Sequence, residues 1–528
     1  MSRTSAHRWL TIAAGCWLAC AHGAPADDDF WAAPDAAAMT RRVDELLLER
    51  MTQAGVEPAG RSGDAEFLRR AWLDVNGVIP MASDVREFLG DVRSEKRALA
   101  VERLLNSPRY ATHLANVWSN MLLPADAQIE RIEQTAQFNG WLRRRFAENT
   151  RYDTLVADLL TTTGDGDRAG AVLFYTAAEV KPEELAASTS RIFLGVQIQC
   201  AQCHDHPFDE WKQRDFWSYA AFFARLQTST GGGPMATALV DAPRGEVMLP
   251  DSEEVVLPKY LGAEPPREDA DVNRRRQLAI WMVSRDNPYF ARVAANRVWA
   301  QLFGQGLVHP VDDFGEHNPP SHPQLLDELA AWFVAAGYDL RALYGVLANT
   351  EAYQRTSRVD ARASPDEAPP ELFSRMAIKT LTPDQLYDCL LRATRLAEAE
   401  QAGGPGPISA AELNRRQFLA RFTMGTHEAV EFQAGIPQVL ALMNGSLTAR
   451  ATDPDQGSVL QALAAPFFSD GERVESLFLA TLSRPPRDAE RARFVEYVEM
   501  GGPTADRRRA LGDLLWALLN SPEFVFNH

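Results

Sequence analysis

The segment SPRYATHLANVWSNML at residues 107–122 indicates how this chain folds. Ser107 is a favoured helix N-cap, and Pro108 suits the first helical position that follows it. Large apolar side chains then recur at a spacing of three or four residues, at Tyr110, Leu114, Val117, Trp118 and Met121. This spacing predicts an amphipathic helix.

Other segments carry similar helix signals. An apolar helical pattern runs through residues 64–77, and residues 382–385 have the spacing of a capping box. Residues 321–324 have that spacing too, and we expect their helix to end at Gly337. Strand signals are few, and two short runs within residues 245–257 predict a brief β excursion. The sequence therefore predicts a mainly α protein.

Changes in composition predict two helical domains joined by a Gly/Pro-rich linker. The expected order is a signal peptide at 1–24, an N-terminal extension at 25–63, a first domain at 64–226, a linker at 227–275 and a second domain at 276–528. A chain of 528 residues is long enough to bury a sizeable core.

The first residues have the pattern of an export signal. A cationic start at Arg3 and Arg8 precedes an apolar run over residues 9–21, with small residues near Gly23 and three aspartates from Asp27. This order predicts cleavage near Gly23 and export to the periplasm or cell envelope.

Lipid attachment at Cys16 or Cys20 is an alternative that the sequence does not favour, because neither cysteine has Leu three places upstream. After the signal, no apolar run of about 20 residues predicts a transmembrane span.

The charge of the chain narrows its class of partners. The formal net charge is −17 at pH 7, which argues against nonspecific binding to nucleic acid or to anionic lipid. Motifs typical of nucleotide enzymes and of serine or zinc hydrolases are missing from the sequence. We therefore expect protein partners, such as periplasmic redox or envelope proteins.

The chemistry centres on Cys200-Ala201-Gln202-Cys203-His204. Cys-x-x-Cys-His is the pattern at which haem c is attached covalently, with the two sulfurs as thioethers and the histidine as an iron ligand. Three alternatives stay open: a disulfide between the cysteines, a zinc site that includes His204 or His206, and a redox dithiol. The remaining mature cysteine, Cys389, lies on an apolar helical face and is expected to be an inert core thiol.

A haem iron has a second axial side, for which His113, His317, His322 or a methionine are formal candidates. His113 lies on the apolar face of the helix predicted at 107–122, which favours a core histidine. The sequence does not choose between these ligands and an open sixth position.

A second polar group of residues lies at 311–323. It contains Asp312, Asp313, Glu316, His317 and His322. Carboxylates and imidazoles so close in sequence could bind a metal or act as acid–base groups. Turn and helix-cap chemistry explains the same pattern, because two prolines and a serine lie among these residues.

The longest resemblance to a known family begins with the run from Pro182 to Phe208, which includes RIFLGVQIQCAQCHDHPF at 191–208. The second half adds shorter motifs at 296–299, 306–308, 311–314, 320–323, 381–386, 432–435 and 482–486. Together these segments resemble the planctomycete cytochrome-associated domain of unknown function, followed by the domain that usually accompanies it.

The resemblance implies an exported protein with a cytochrome-like role, although the family's activity is unassigned. Members often carry a separate cytochrome c domain, whereas this chain has a single Cys-x-x-Cys-His. Carried over by position, Cys200 and Cys203 would be the thioether positions and His204 the proximal iron ligand.

Three functional hypotheses follow. The leading one is an exported c-type haem protein that transfers electrons or supports a periplasmic redox complex. The second is a noncatalytic envelope scaffold or binding protein with a Cys200–Cys203 disulfide. The third is a metal-dependent hydrolase that uses His204, His206, Asp312 or His317.

Overall fold

The computed structural model describes residues 34–229, 238–266, 273–358, 369–396, 410–423 and 442–528. The predicted signal peptide, Cys16 and Cys20 lie outside these residues, as does the motif at 432–435.

Helices account for most of the described chain. Eleven of them precede the predicted linker, and the last of these follows the Cys-x-x-Cys-His motif. They are α1 (Ala36–Gln53), α2 (Asp64–Asn76), α3 (Ala82–Gly90), α4 (Lys96–Leu105), α5 (Pro108–Leu122), α6 (Ala125–Glu130), α7 (Ile132–Ala147), α8 (Tyr152–Thr161), α9 (Val172–Ala177), α10 (Pro182–Thr189) and α11 (Gln213–Ala220).

The helices of the second part follow the predicted linker. They are α12 (Arg274–Met282), α13 (Phe290–Phe303), α14 (Pro323–Ala335), α15 (Leu340–Ala348), α16 (Pro383–Thr394), α17 (Ala410–Thr423), α18 (Ser446–Thr452), α19 (Ser458–Leu463), α20 (Asp470–Leu482), α21 (Asp488–Met500), α22 (Arg507–Leu519) and α23 (Pro522–Val525). The prediction of a mainly α protein is confirmed.

Six short strands form three antiparallel pairs among the described residues. They pair β1 (Leu226–Ser229) with β2 (Ala238–Asp241), β3 (Val247–Met248) with β4 (Val255–Val256), and β5 (Lys379–Thr380) with β6 (Phe526–Asn527). The second pair confirms the β excursion predicted within residues 245–257. The described part of the predicted linker therefore carries two hairpins.

Local sequence explains two of the helix starts. The hydroxyl of Ser107 accepts a hydrogen bond from the Arg109 N–H at 3.2 Å, and Pro108 opens α5 as predicted. Before α16, the hydroxyl of Thr382 accepts from the Gln385 N–H at 3.3 Å, while the Gln385 side chain accepts from the Thr382 N–H at 3.0 Å. This reciprocal pair is the capping box predicted at 382–385.

The capping box predicted at 321–324 is wrong. The Ser321 hydroxyl donates to the carbonyl of Leu307 at 3.2 Å, and the Ser321 N–H donates to the same carbonyl at 2.8 Å. His322 is the N-cap residue of α14 and makes no side-chain capping bond. A contact with a residue 14 positions earlier in the chain thus outweighs the local capping pattern.

Two buried arginines on α2 tie the start of the described chain to its end. Arg69 donates to the carbonyls of Thr481 at 3.0 Å, Glu523 at 3.0 Å and Phe524 at 2.8 Å. Arg70 donates to the carbonyl of Tyr353 at 2.7 Å. These carbonyl oxygens accept hydrogen bonds from the N–H groups of each guanidinium, which is why the arginines can lie in the interior.

One turn further along α2, Asp74 gathers three partners into what we call the Asp74 cluster, consisting of Asp74, Tyr353, Lys379 and Asn527. Its carboxylate accepts from Lys379 Nζ at 2.6 Å, from Asn527 Nδ2 at 2.7 Å and from the Tyr353 hydroxyl at 2.8 Å. Because these residues come from α2, the chain after α15, β5 and β6, the cluster joins elements that are remote in sequence.

The apolar core is shared by both predicted domains. One buried cluster runs through Phe67, Trp141, Trp299, Leu347 and Leu515, and α1 packs against α14 and α15. Residues Asp35–His528 form one compact unit. The domain boundaries given above stay a prediction.

Candidate functional site

The Cys-x-x-Cys-His pentapeptide lies just after an irregular end of α10. Residues Ser190–Leu194 form a π-helical turn that Gly195 ends with a φ of +67°. A Cβ atom at Gly195 would lie 2.6 Å from the Phe314 ring and 2.7 Å from Val293, so only glycine fits there. The chain then enters a short 3-10 helix, Ile198–Gln202.

We call residues 198–206 the Cys-His turn. Ile198 and Ala201 are fully buried, whereas Cys200 and Cys203 are free thiols on the exposed side. Cys200 lies within the 3-10 helix and Cys203 is its C-cap residue, and both face solvent. The apolar side chains thus anchor the turn and leave both sulfurs accessible.

Helix α11 holds the Cys-His turn through hydrogen bonds to its carbonyl groups. The Gln213 side-chain amide donates to the carbonyls of Cys203 at 3.0 Å and of Gln202 at 3.3 Å. The Trp217 indole N–H donates to the Gln202 carbonyl at 3.0 Å. The sequence carries no signal for this role of Gln213, because its partners are main-chain carbonyls.

Asp205 completes this attachment. Its carboxylate accepts from the Gln213 N–H at 3.1 Å and lies 3.3 Å from Lys212 Nζ. The Gln213 N–H, with help from Lys212, lowers the pKa of Asp205 below its ordinary value. The side chain of Asp205 therefore stays ionised and fixed to the start of α11.

The main chain of Asp205 sets the proton position of the exposed His204. His204 Nδ1 lies 2.7 Å from the Asp205 carbonyl oxygen, which can only accept a hydrogen bond. Nδ1 must therefore carry a hydrogen in this contact, so that in the neutral ring the lone pair lies on Nε2. A carbonyl partner on the second ring nitrogen is typical of metal-bound histidines.

His206 belongs to the same turn but has a different role. Its N–H donates to the Trp211 carbonyl at 2.8 Å, and its Nδ1 accepts from the Phe208 N–H at 3.4 Å. His206 therefore closes the loop that leads from the turn to α11.

The second polar group in the sequence lies beside the first. Asp312 accepts from Arg191 at 3.0 Å and from Gln197 at 3.4 Å, both of which precede the Cys-His turn. The Phe314 N–H donates to the Gly195 carbonyl at 2.8 Å. These contacts seat the loop around residues 312–317 against the chain that leads into the cysteines.

His317 lies between two carboxylates at this junction. Its Nε2 is 3.2 Å from Asp313 Oδ2, and its Nδ1 is 3.9 Å from Asp209 Oδ2. Asp209 follows the Cys-His turn directly, so His317 links that segment to the second half of the chain. Asp209 ends the segment 200–209 on which the sequence centres the chemistry, but the sequence assigns it no role.

His322 and His113 are buried apart from this junction. His322 packs against the Phe373 ring and makes a 3.1 Å contact from Nδ1 to the Ser321 hydroxyl. His113 lies 3.2 Å from the Gln301 amide. Burial lowers the pKa of each histidine to about 4, which confirms His113 as a core residue.

Two further observations bear on the predicted sites. Across the described ranges, the His, Cys, Asp and Glu side chains form no group of three or more arranged to hold a metal ion. Cys389 is fully buried and its pKa is raised to about 12 by burial, which confirms an inert core thiol.

None of the described helices combines the length and the apolar character needed to cross a bilayer.

Fold and site together define a mainly α protein that presents an exposed Cys-x-x-Cys-His turn. Residues 42–228 match the family described as PSCyt2, a protein of unknown function (DUF1549), and residues 274–426 match PSD1, a protein of unknown function (DUF1553). These two matches, one in each part of the chain, confirm the predicted resemblance. No curated protein and no solved structure matches the chain.

Proposed function

We propose that this chain is an exported c-type haem protein with a role in electron transfer or in a periplasmic redox complex. The observation that carries the proposal is the Cys-His turn, where Cys200, Cys203 and His204 are exposed and His204 Nε2 has no hydrogen-bond partner among the residues that the structure describes.

The donor set of the turn fits haem c. Covalent attachment needs two thiols that can be reached from outside, and Cys200 and Cys203 are both exposed. An iron ligand needs an imidazole nitrogen with a lone pair, and the 2.7 Å contact of His204 Nδ1 with the Asp205 carbonyl makes Nε2 that nitrogen in the neutral ring. Haem bound here would supply one-electron chemistry at its iron.

The protein's own part is to hold these groups in place. Gln213 and Trp217 fix the carbonyls of the turn, while the Asp205 carbonyl fixes the orientation of the His204 ring. Of the other proposed axial ligands, His113 and His322 are buried and in contact with other residues, whereas His317 lies at the junction beside the turn. The proposal assigns no residue to the second axial side.

Export is part of the proposal, because haem is joined to Cys-x-x-Cys-His in exported proteins. The sequence pattern of residues 1–24 supports it. A partner would accordingly be a periplasmic redox or envelope protein that reaches the exposed turn.

The test is a pyridine-haemochrome spectrum, with intact mass, of the full chain produced together with a cytochrome c maturation system. We expect a covalent haem band and a mass increase of one haem. Cys200→Ala and Cys203→Ala should each remove one thioether bond, and His204→Ala should change the iron spectrum.

Cys389→Ala is the matched control, because it removes a cysteine that is buried away from the turn. It should leave haem attachment unchanged. A wild-type chain with no haem band, and with Cys200 and Cys203 joined to each other, would replace the proposal with the scaffold hypothesis.

A further inference from the structure

A small polar cavity lies where α2, α5 and α16 meet. Its volume is about 10 Å³, which is close to the room that one water molecule needs. Asn76 of α2, Asn116 of α5 and Asp384 of α16 are among the residues that line it. Since α2 and α5 lie in the region that matches PSCyt2 and α16 in the region that matches PSD1, the cavity lies between the two matched regions.

The Asn76 side chain is the observation that points to a ligand. Asn76 is the last residue of α2 and only 2% exposed, and neither its Oδ1 nor its Nδ2 has a hydrogen-bond partner among the described residues. A buried amide without partners is unfavourable, because it has lost its hydrogen bonds to water and gained none from the protein. Most buried polar groups are satisfied by protein atoms or by an ordered water molecule.

The turn after α2 fixes Asn76 at the edge of the cavity. Gly77 has a φ of +68°, and a Cβ atom at this position would lie 2.3 Å from His113 Nδ1, so the turn requires glycine. His113 is not a partner for the amide, because its Nδ1 bonds to the backbone of Asp74 and its Nε2 contacts Gln301. The amide of Asn76 is therefore held in place without a protein partner.

The charged groups of the lining are already paired. Arg415 bonds to both carboxylates of α16, with its Nη2 2.5 Å from Asp384 Oδ1 and its Nη1 on Asp388. Asn120 donates to Asp384 Oδ2 at 2.9 Å, and Arg109 lies 3.7 Å from Asp388 Oδ2. Two carboxylates thus face two guanidinium groups, and the site has no net charge that an ion would have to balance.

The two free groups of Asn76 select the ligand. Its Oδ1 only accepts hydrogen bonds and its Nδ2 only donates them. A metal cation would satisfy Oδ1 alone and an anion Nδ2 alone, whereas water both donates and accepts. The half-buried amide of Asn116 makes no hydrogen bond within the described part of the chain and offers a further partner. A buried water molecule makes about three hydrogen bonds, and the two amides can supply them.

We propose that the cavity binds one water molecule, held by the amides of Asn76 and Asn116. This water completes the contact between α2, α5 and α16, and so between the two matched regions of the chain. The inference does not depend on haem, because none of these residues belongs to the Cys-His turn.

The first test is a crystal structure of the full chain at a resolution that shows ordered water molecules. We expect density for one water within about 3 Å of an amide atom of Asn76 and of an amide atom of Asn116. An empty cavity would overturn the proposal. Oxygen contacts of about 2.4 Å would also overturn it, because such distances indicate a metal ion.

The variant Asn76→Leu tests whether this water stabilises the fold. If the amide had no partner at all, leucine would remove two unsatisfied groups and raise the midpoint of urea denaturation. With water bound, leucine displaces the water and removes its hydrogen bonds, so we expect a lower midpoint.

Asn139→Leu is the matched control. Asn139 Oδ1 is also buried without a partner among the described residues, but Asn139 does not line this cavity. Its substitution should leave the midpoint unchanged or raise it. A midpoint for Asn76→Leu at or above that of the wild-type chain, or equal decreases in the two variants, would overturn the proposal.

Discussion

The Asp74 cluster and the Cys-His turn use polar groups in opposite ways. In the cluster, the side chains of Asp74 and Lys379 are 4% and 16% exposed, and each makes several hydrogen bonds. In the turn, the reactive atoms of Cys200, Cys203 and His204 are exposed and available, while the backbone around them is fixed. The comparison separates polar groups that hold the fold together from polar groups that are available for chemistry.

The largest effect on the free energy of unfolding should come from breaking the buried ion pair between Lys379 and Asp74. Lys379→Met leaves the Asp74 carboxylate inside without its cation, and we expect a loss of about 3–5 kcal/mol in the free energy of unfolding. Chemical denaturation of the full chain measures this loss.

Lys181→Met is the matched control, because its ion pair with Glu179 is exposed on both sides. It should cost about 0–1 kcal/mol. Similar losses for the two variants would show that the Asp74 cluster is no more important to stability than a surface pair.

The two buried histidines predict a pH dependence. Folding lowers the pKa of His113 and His322 from 6.5 to about 4, so the unfolded chain binds more protons between those values. The contribution of these two histidines to the free energy of unfolding is therefore fully present above about pH 6.5, and it is lost as the pH falls toward 4. We expect His113→Gln to remove about 1–3 kcal/mol of this dependence, as measured by denaturation at a series of pH values.

The wild-type chain, denatured over the same series of pH values, is the reference. If His113→Gln has the same pH profile as the wild-type chain, the interior histidines do not control acid stability.

The features that could be predicted from the sequence are those that depend on residues close together in the chain. The helix starts at 107–108 and 382–385 and the Cys-x-x-Cys-His motif depend on residues within five positions of each other, so their signals are complete in a short window. The partners of Asp74 lie 279, 305 and 453 residues away, and no local pattern connects them. The contact between Asp209 and His317 is also remote in sequence. Gln213 was missed for another reason, because its partners are main-chain carbonyls 10 and 11 residues away, which leave no pattern in the sequence.

A smaller effect should follow from loosening the Cys-His turn. Gln213→Ala removes both hydrogen bonds from its amide to the carbonyls of Gln202 and Cys203. We expect a loss of about 1 kcal/mol in stability and faster hydrogen exchange in the peptide that covers residues 198–206.

Gln199→Ala is the control, because Gln199 is exposed in the same turn and makes no side-chain hydrogen bond within the described residues. Equal exchange in the two variants would mean that α11 does not hold the turn through Gln213.

The smallest effect on the free energy of unfolding should come from the junction at His317. This junction links remote segments, as the Asp74 cluster does, but its polar side chains are partly exposed. The side chain of His317 is 37% exposed, and those of Asp209 and Asp313 are 14% and 26% exposed. Solvent competes for such partly exposed contacts, so we expect His317→Asn to cost about 0.5 kcal/mol in the free energy of unfolding. A cost above about 2 kcal/mol would place this junction with the Asp74 cluster, since that size of effect is typical of buried charges.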